Sequence, residues 1–294
     1  MNGPIDGLLS TLNLTDTGAR TTEDIFTGPS QWMPLGRVFG GQVLAQSLVA
    51  AMHTVPEERM LHSMHGYFLR PGDVQHPITF SVDRLYDGRS FSTRRTHAFQ
   101  NGVPILSLIA SFQTHDDGVE HQAEMPDDLP EPESLPTAAD VLGDLDHDVA
   151  RYWSNQRAFD MRHIPSAVYL TVDGERVPRQ AVWMKAFGRL SDDPNEHRAA
   201  LAYASDYSIL EPVLRAHGIP WSTPGLKVAS LDHAMWWHRD ARVDEWLLYV
   251  QESPSAGGGR GLSLGRIYTR DGVLVASVAQ EGMVRLPRQE HPTE

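Results

Sequence analysis

Two stretches of this chain read as degraded copies of one module, 170 residues apart. Leu61-His62-Ser63-Met64-His65, Gly88-Arg89-Ser90 and Asn101-Gly102-Val103-Pro104-Ile105-Leu106-Ser107 form the first. Leu231-Asp232-His233-Ala234-Met235, Gly258-Gly259-Arg260 and Asp271-Gly272-Val273-Leu274-Val275-Ala276-Ser277 follow in the same order. The differences 231 − 61, 258 − 88, 272 − 102 and 277 − 107 all equal 170. Such a duplication constrains the fold more than any motif, because both modules must adopt one architecture. Polar residues in one copy that are apolar in the other then become candidates for chemistry.

Local patterns give the module its content. Leu8, Leu9, Leu12 and Leu14 suggest a short N-terminal helix. Gly40-Gly41 leads into a helix over 42–55. Its apolar stripe of Val43, Leu44, Leu48, Ala51, Met52 and Val55 predicts burial on one side, and Pro56 stops it. Strands are expected at 62–70, 78–86, 91–99 and 103–114, separated by Pro71-Gly72-Asp73, Asp87-Gly88 and Asn101-Gly102. One helix followed by an antiparallel meander is an α+β layer, a sheet wrapped round a helix.

Residues 116–150 are acidic and Pro-rich, and read as a solvated connector. The second copy is expected to carry strands at 168–172 and 180–187. A helix follows at 197–216, interrupted near Pro212, and then strands at 228–238, 245–253, 263–269 and 273–285. The division is therefore residues 1–115, the connector 116–150, and residues 151–290. Two such sheets can pair edge to edge and remove an exposed edge from each.

Composition closes off several functions. A formal net charge of −13 argues against a nucleic-acid partner, although local Arg groups can still meet an anionic small molecule. With no cysteine, disulfides, thiolate metal sites and a Cys nucleophile are excluded together. No apolar run reaches the roughly 18 residues of a membrane span, so no membrane partner is expected. Met1-Asn2-Gly3-Pro4 lacks a basic leader, and His291-Pro292-Thr293-Glu294 carries no targeting tripeptide; a cytoplasmic location is the resulting expectation.

Three polar residues distinguish the second copy. Asp206 lies at the end of its helix, Ser230 precedes a strand, and Gln280 falls inside the last strand. At the same spacing, Ser230 and Gln280 correspond to Met60 and Ala110. An apolar-to-polar change in a half-buried strand costs about 1–3 kcal/mol unless the group finds a partner. A carboxylate, a hydroxyl and an amide converging on one point could hold a water by three hydrogen bonds, with the carboxylate as its base. Taken singly, each also reads as an ordinary surface or strand residue.

Val38-Phe39-Gly40-Gly41-Gln42-Val43, the stretch His65 to Asp73, Asp87-Gly88-Arg89-Ser90-Phe91, Tyr203-Ala204-Ser205-Asp206, Asp232-His233-Ala234-Met235-Trp236 and the stretch Asp244 to Tyr249 form one ordered set. In these stretches the chain resembles the acyl-CoA thioesterase II family. It runs in order over nearly the whole chain and is weakest in the connector. It implies a double hotdog, two antiparallel sheets each wrapped round a central helix and joined edge to edge. It also implies hydrolysis of fatty acyl-CoA by an Asp, Thr or Ser, Gln triad in the second hotdog, with backbone N–H groups polarising the thioester carbonyl. Asp206, Ser230 and Gln280 match that triad; Ser230 lacks the methyl that Thr brings, which restricts the rotamer. No cofactor or metal is implied. The expected partners are acyl-CoA and further copies of the chain, as a homodimer or homotetramer.

Competing signals exist. Gly261-Leu262-Ser263-Leu264-Gly265 matches the G-x-S-x-G elbow, but a strand rather than a helix is expected to follow it. His62, His65, His233 and His238 are spaced onto opposite strand faces and read as packed or hydrogen-bonded rather than metal-ligating. Asp232 and His233 are adjacent on a strand and point apart, so they form no triad with Ser230. Hotdog hydratases and dehydratases pair a His with an acid, yet no Gly-Asp-x-Asn-Pro-x-His stretch is present. An acyl-CoA binding module is the non-enzymatic alternative. Arg89, Arg94, Arg95, Arg239, Arg260 and Arg266 are candidates for the CoA phosphates, and Met64, Phe68, Met235 and Trp236 for the acyl tunnel.

Overall fold

The computed structural model describes residues 3–19 and 22–287. Its helices are α1 (Pro4–Leu12), α2 (Gly40–Met52), α3 (Ala138–Leu142), α4 (Asp148–Arg151), α5 (Pro194–Ser205) and α6 (Glu211–His217). The first-half strands are β1 (Thr15–Asp16), β2 (Asp24–Gly28), β3 (Arg59–Phe68), β4 (Ile78–Asp87), β5 (Phe91–Gln100) and β6 (Val103–Thr114). The second half has β7 (Phe159–Ile164), β8 (Arg179–Ala186), β9 (Lys227–Ser230), β10 (Asp232–Trp237), β11 (Leu247–Gly257), β12 (Arg260–Thr269) and β13 (Leu274–Arg285). All pair into one antiparallel sheet ordered β1-β2-β4-β5-β6-β3-β10-β13-β12-β11-β8-β7, with β9 beside β13. The two halves join edge to edge through β3 and β10, from Ser63↔Trp236 to Tyr67↔Asp232. The sheet wraps α2 and α5, which pack against each other, so the expected pair of helix-filled sheets is present. No helix of the described residues is long and apolar enough to cross a membrane.

The repeat spacing is not constant at 170. Arg94 and Met64 stand opposite Ala110, and Ser263 stands opposite Gln280. Matching Ala110 to Gln280 (280 − 110 = 170) therefore matches Arg94 to Ser263 at 169, and β3 follows the same shift, with His65 matching Ala234. The extra residue sits in the last hairpin. Asn101 and Gly102, both at positive φ, make the two-residue turn that fits a twisted ladder, whereas Arg270-Asp271-Gly272 is a three-residue turn ending on positive-φ Gly272. A one-residue slip reverses every side chain on a strand. Ser230, opposite Gly282 as Leu61 is opposite Phe112, thus corresponds to buried Leu61, not to Met60.

Other expectations also change. The α2 helix is buried almost all round: Gln42, Gln46 and Ser47 are as inaccessible as Leu44 and Leu48. The N-terminal segment covers its polar side, where Gln46 Nε2 donates to Thr11 O and Pro29 O at 2.9 and 3.0 Å, and Gln42 Oε1 accepts from Gln31 N at 3.0 Å. Residues 168–172 form no strand. The carbonyls of Val168 and Tyr169 accept from Trp221 and Ser222, Tyr169 packs in a small cluster with Ala138, Leu142 and Ala150, and β7 takes the sheet edge instead. The expected strand 228–238 breaks at Leu231, whose N–H reaches Glu281 O while its carbonyl accepts from Phe68. Positions 288–290 of the expected second unit lie outside the described residues.

The connector is not a solvated linker. It crosses the outer face of the second half, where Met125, Leu129 and Leu135 pack on Ala181, Trp183, Leu248, Tyr268 and Leu274. Trp183 Nε1 donates to Pro130 O at 3.0 Å, Gln122 bonds the β12–β13 turn at Gly272 and Leu274, and Arg270 pairs with Glu131 and Glu133. Acidic residues there answer specific cations, and the interspersed apolar residues shield a sheet face that would otherwise be open. Leu129→Asp should therefore lower stability by about 2–3 kcal/mol in urea denaturation and expose the connector to limited proteolysis.

Candidate active site

Four elements converge where the halves meet. The α5 helix ends at Ser205 and Asp206 is its C-cap; Pro212 at the start of α6 prevents the two helices from running together. A carboxylate at a helix C-terminus faces the negative end of the helix dipole, so this position brings the fold no gain of its own. Compensation comes from the other copy. The Gly41 N–H, in the first turn of α2, donates to Asp206 Oδ2 at 2.8 Å. That approach requires both glycines: a Cβ on Gly40 would lie 2.6 Å from Asp206 Oδ2, and one on Gly41 2.3 Å from the Tyr203 carbonyl oxygen.

Ser230 ends β9 at the Leu231 break, and Gln280 lies inside β13 on the inward face. Ser230 Oγ donates to Asp206 Oδ1 at 3.1 Å. Gln280 Nε2 donates to Asp206 Oδ1 at 3.0 Å and to Ser230 Oγ at 2.9 Å. The three residues singled out by the duplication are therefore in mutual contact. They close on one another, so Ser230 and Gln280 address the carboxylate itself. Asp206 is half-buried, and burial raises its carboxyl to about 6 against the opposing hydrogen bonds from Gln280, Ser230 and Gly41. A carboxyl titrating there is available as a base near neutral pH.

The break after Asp206 is anchored by buried polar groups. Glu211 accepts from Gln180 Nε2 at 2.7 Å and from Trp221 Nε1 at 3.1 Å, and His163 Nε2 stands 3.0 Å away. Burial alone would raise the Glu211 carboxyl, but His163 and these donors bring it below its ordinary range. The start of α6 is thereby held against β7 and β8.

A cavity of about 480 Å³ opens on this triangle, lined among others by Phe39, Phe68, Tyr152, Trp153, Tyr207 and Leu210. A larger one, about 820 Å³, lies on the outer sheet face between the connector and Trp236, Leu264 and Arg266, and touches none of the three polar residues. Of the four expected tunnel residues only Phe68 lines the site cavity; Met64 and Met235 are core, and Trp236 faces the outer cavity. None of the six candidate arginines lines it either. Arg94 is 1% exposed and spends its donors on Thr54, Tyr86, Thr93 and Asp87. Arg95 and Arg260 pair with Asp83 and Glu281. The cations at the rim are Arg37 and Arg70, neither of them among those six, although Arg70 falls within the stretch His65 to Asp73.

The competing motifs resolve into packing. Ser263 is a buried strand residue on β12, and the flanking glycines admit neighbours: a Cβ on Gly261 would meet Val213 at 2.6 Å and one on Gly265 the Tyr249 ring at 2.3 Å. His62 and His238 bond Ser111 and Ser277, each at 2.9 Å, and His65 sits edge-on to Trp236. Asp232 accepts from Glu281 N, away from His233. Among the described residues no group of three His, Cys, Asp or Glu is placed to share a metal. His233 was expected to be packed or hydrogen-bonded, and it is both, but no sequence signal named Gln280 as its partner.

Two family models match the chain: one described as "Acyl-CoA thioesterase N-terminal domain" over residues 28–113, the other as "Acyl-CoA thioesterase" over residues 153–283. Acyl-CoA thioesterase 2 of Haemophilus influenzae is 39% identical over 89% of this chain and 92% of its own. The crystal structure of an acyl-CoA thioesterase II from Mycobacterium marinum is 40% identical, with a TM-score of 0.76 over 97% of this chain and 99% of that one. A protein of unknown function with a hot dog fold from Alicyclobacillus acidocaldarius shares the fold at 19% identity, with a TM-score of 0.76 over 96% of this chain and 98% of its own.

The raised Asp206 carboxyl has a consequence for stability. Its folded value lies above the ordinary 3.8, so the folded state binds more protons between about 4 and 6, and its contribution to stability falls as pH rises through that window. The urea stability of Asp206→Asn relative to the native chain should improve by about 2 kcal/mol between pH 4 and pH 7. A difference independent of pH would show that Asp206 titrates normally.

Proposed function

Because the chain belongs to the acyl-CoA thioesterase II family, we propose that it hydrolyses acyl-CoA to a free acid and CoA by direct attack of water. The observation that carries this reading is the Asp206–Ser230–Gln280 triangle at the wall of a cavity, with a helix N-terminus from the other copy beside it. A water entering between Asp206 and the two donors gives a proton to the carboxylate while its oxygen bonds to the thioester carbon. The negative charge passes to the carbonyl oxygen. Of the first-turn amides of α2, that of Gly41 is bonded to Asp206 and those of Gln42 and Val43 to Phe39 O; the Gly40 amide is the donor we assign to that oxygen. Collapse of the intermediate breaks the carbon–sulfur bond, and the Asp206 proton goes to the departing thiolate. No covalent enzyme intermediate is needed.

The apolar and aromatic wall from Phe39 and Phe68 to Tyr152, Trp153 and Leu210 suits an acyl chain. Arg37 and Arg70 at the rim suit the CoA phosphates.

Asp206→Asn should abolish thiol release from acyl-CoA, and native kcat should fall on the acidic side of an apparent pKa of about 6, because the base must be ionised. Hydration of an enoyl-CoA without thiol release would replace this reading. Gly40→Ala, which drives a methyl against Asp206 Oδ2 and the Phe68 ring, should lower kcat about 100-fold in the same assay.

A further inference from the structure

Gln280 can orient Asp206 only if its amide nitrogen, not its oxygen, faces the carboxylate. The two ends of a primary amide are nearly the same shape, so something must choose between them. In the opposite orientation the oxygen would meet Asp206 Oδ1, the donation to Asp206 would be lost, and Ser230 could bond the amide only by turning its O–H away from Asp206. The selecting contact is on the far side of the same side chain. His233 Nδ1 bonds Gln280 Oε1, and His233 Nε2 lies 3.0 Å from Ser205 Oγ. His233, Ser205 and Gln280 are at most 1% exposed, so no solvent competes for these atoms.

We propose that His233 is a positioning residue, which holds the Gln280 amide with its nitrogen toward Asp206 and Ser230. The roles follow from donor chemistry. Oε1 only accepts, so the imidazole must carry its proton on Nδ1. In the neutral ring Nε2 then accepts, and the single Ser205 Oγ proton, which also has the Ala202 carbonyl within reach at 2.9 Å, is assigned to Nε2 at 3.0 Å. Burial lowers the His233 pKa to about 4, against the raising effect of the Gln280 bond, which keeps the ring neutral near neutral pH. The relay runs in one direction: Ser205 to His233, His233 to Gln280, Gln280 to Asp206 and Ser230.

The duplication supports a functional origin. In the first half the residues matching His233 and Gln280 are Met64 and Ala110, both fully buried and apolar, so the fold itself accepts an apolar pair here. It also supplies the test. His233→Met installs the first copy's residue, and His233→Asn keeps an N–H near the Nδ1 position.

This inference rests on Asp206 being the base. The experiment is steady-state thiol release with melting temperatures, for the native chain and for Asp206→Asn, Gln280→Ala, His233→Met, His233→Asn and His233→Met/Gln280→Ala. We expect His233→Met to lower kcat about 10- to 100-fold with KM within about twofold, and His233→Asn to recover most of that loss. In the Gln280→Ala background His233→Met should change kcat less than about twofold, because the residue acts through Gln280. A kcat for His233→Met within about twofold of native would overturn the inference, and so would an equal loss in both backgrounds, the mark of a purely structural role. Should His233→Met not fold, His233→Asn at native kcat and melting temperature supports the proposal, and His233→Asn reduced as far as Gln280→Ala overturns it. Turnover by Asp206→Asn removes the general-base reading instead, so the two failures are distinguishable.

Discussion

The pairing of β3 with β10 is the contact on which the rest of this molecule depends. Each half alone would present an open strand edge at its centre, with unpaired backbone groups. Joining them makes one continuous sheet and sets α2 against α5 in its hollow. It follows that the N-terminus of α2 meets the C-terminus of α5, and the positive end of one helix supports a carboxylate that the other helix disfavours. The site belongs to the junction: Gly40, Gly41 and Phe68 come from the first half, and Asp206, Ser230 and Gln280 from the second.

The duplicated halves have diverged in a way that packing physics makes legible. Leu61, Met64 and Ala110 are fully buried in the first half and give it ordinary apolar packing. At the matching positions the second half carries Ser230, His233 and Gln280, bonded to one another or to Asp206 and Ser205. Buried polar groups of this kind are tolerated only when each finds a partner. Near Leu61 the first half instead meets Arg198 of α5, which bonds Leu61 O and Asp240. The first half contributes Gly40, Gly41 and Phe68 to the site, and the second carries the polar set.

The connector shows how composition can mislead. Acidic residues with prolines usually signal a solvated linker, because few apolar groups are present to bury. Here Met125, Leu129 and Leu135, spaced among the charges, are enough to hold it on the second half. Similarly, the stripe on α2 described one face correctly and said nothing of Gln42 and Gln46, whose partners lie in the N-terminal segment.

The α+β class, the duplication and seven strands of the meanders could be read from the chain by itself, because hydrophobic periodicity and turn residues act over short spans; Asp206, Ser230 and Gln280, marked by the duplication and the resemblance, are in mutual contact. The small strands β2 and β7 exist through their pairing with β4 and β8, and β1 through β2, while the one-residue shift between the copies, which arises in the last hairpin, shows only in the strand register. That shift exchanged Met60 for Leu61 as the counterpart of Ser230. The geometry of the candidate site was also tertiary. Gly41 reaches Asp206 across 165 residues of chain, and His233 meets Gln280 across 47. Hydrogen bonds and close approach depend on distances of a few tenths of an ångström, which no local pattern encodes and only the joined sheet sets.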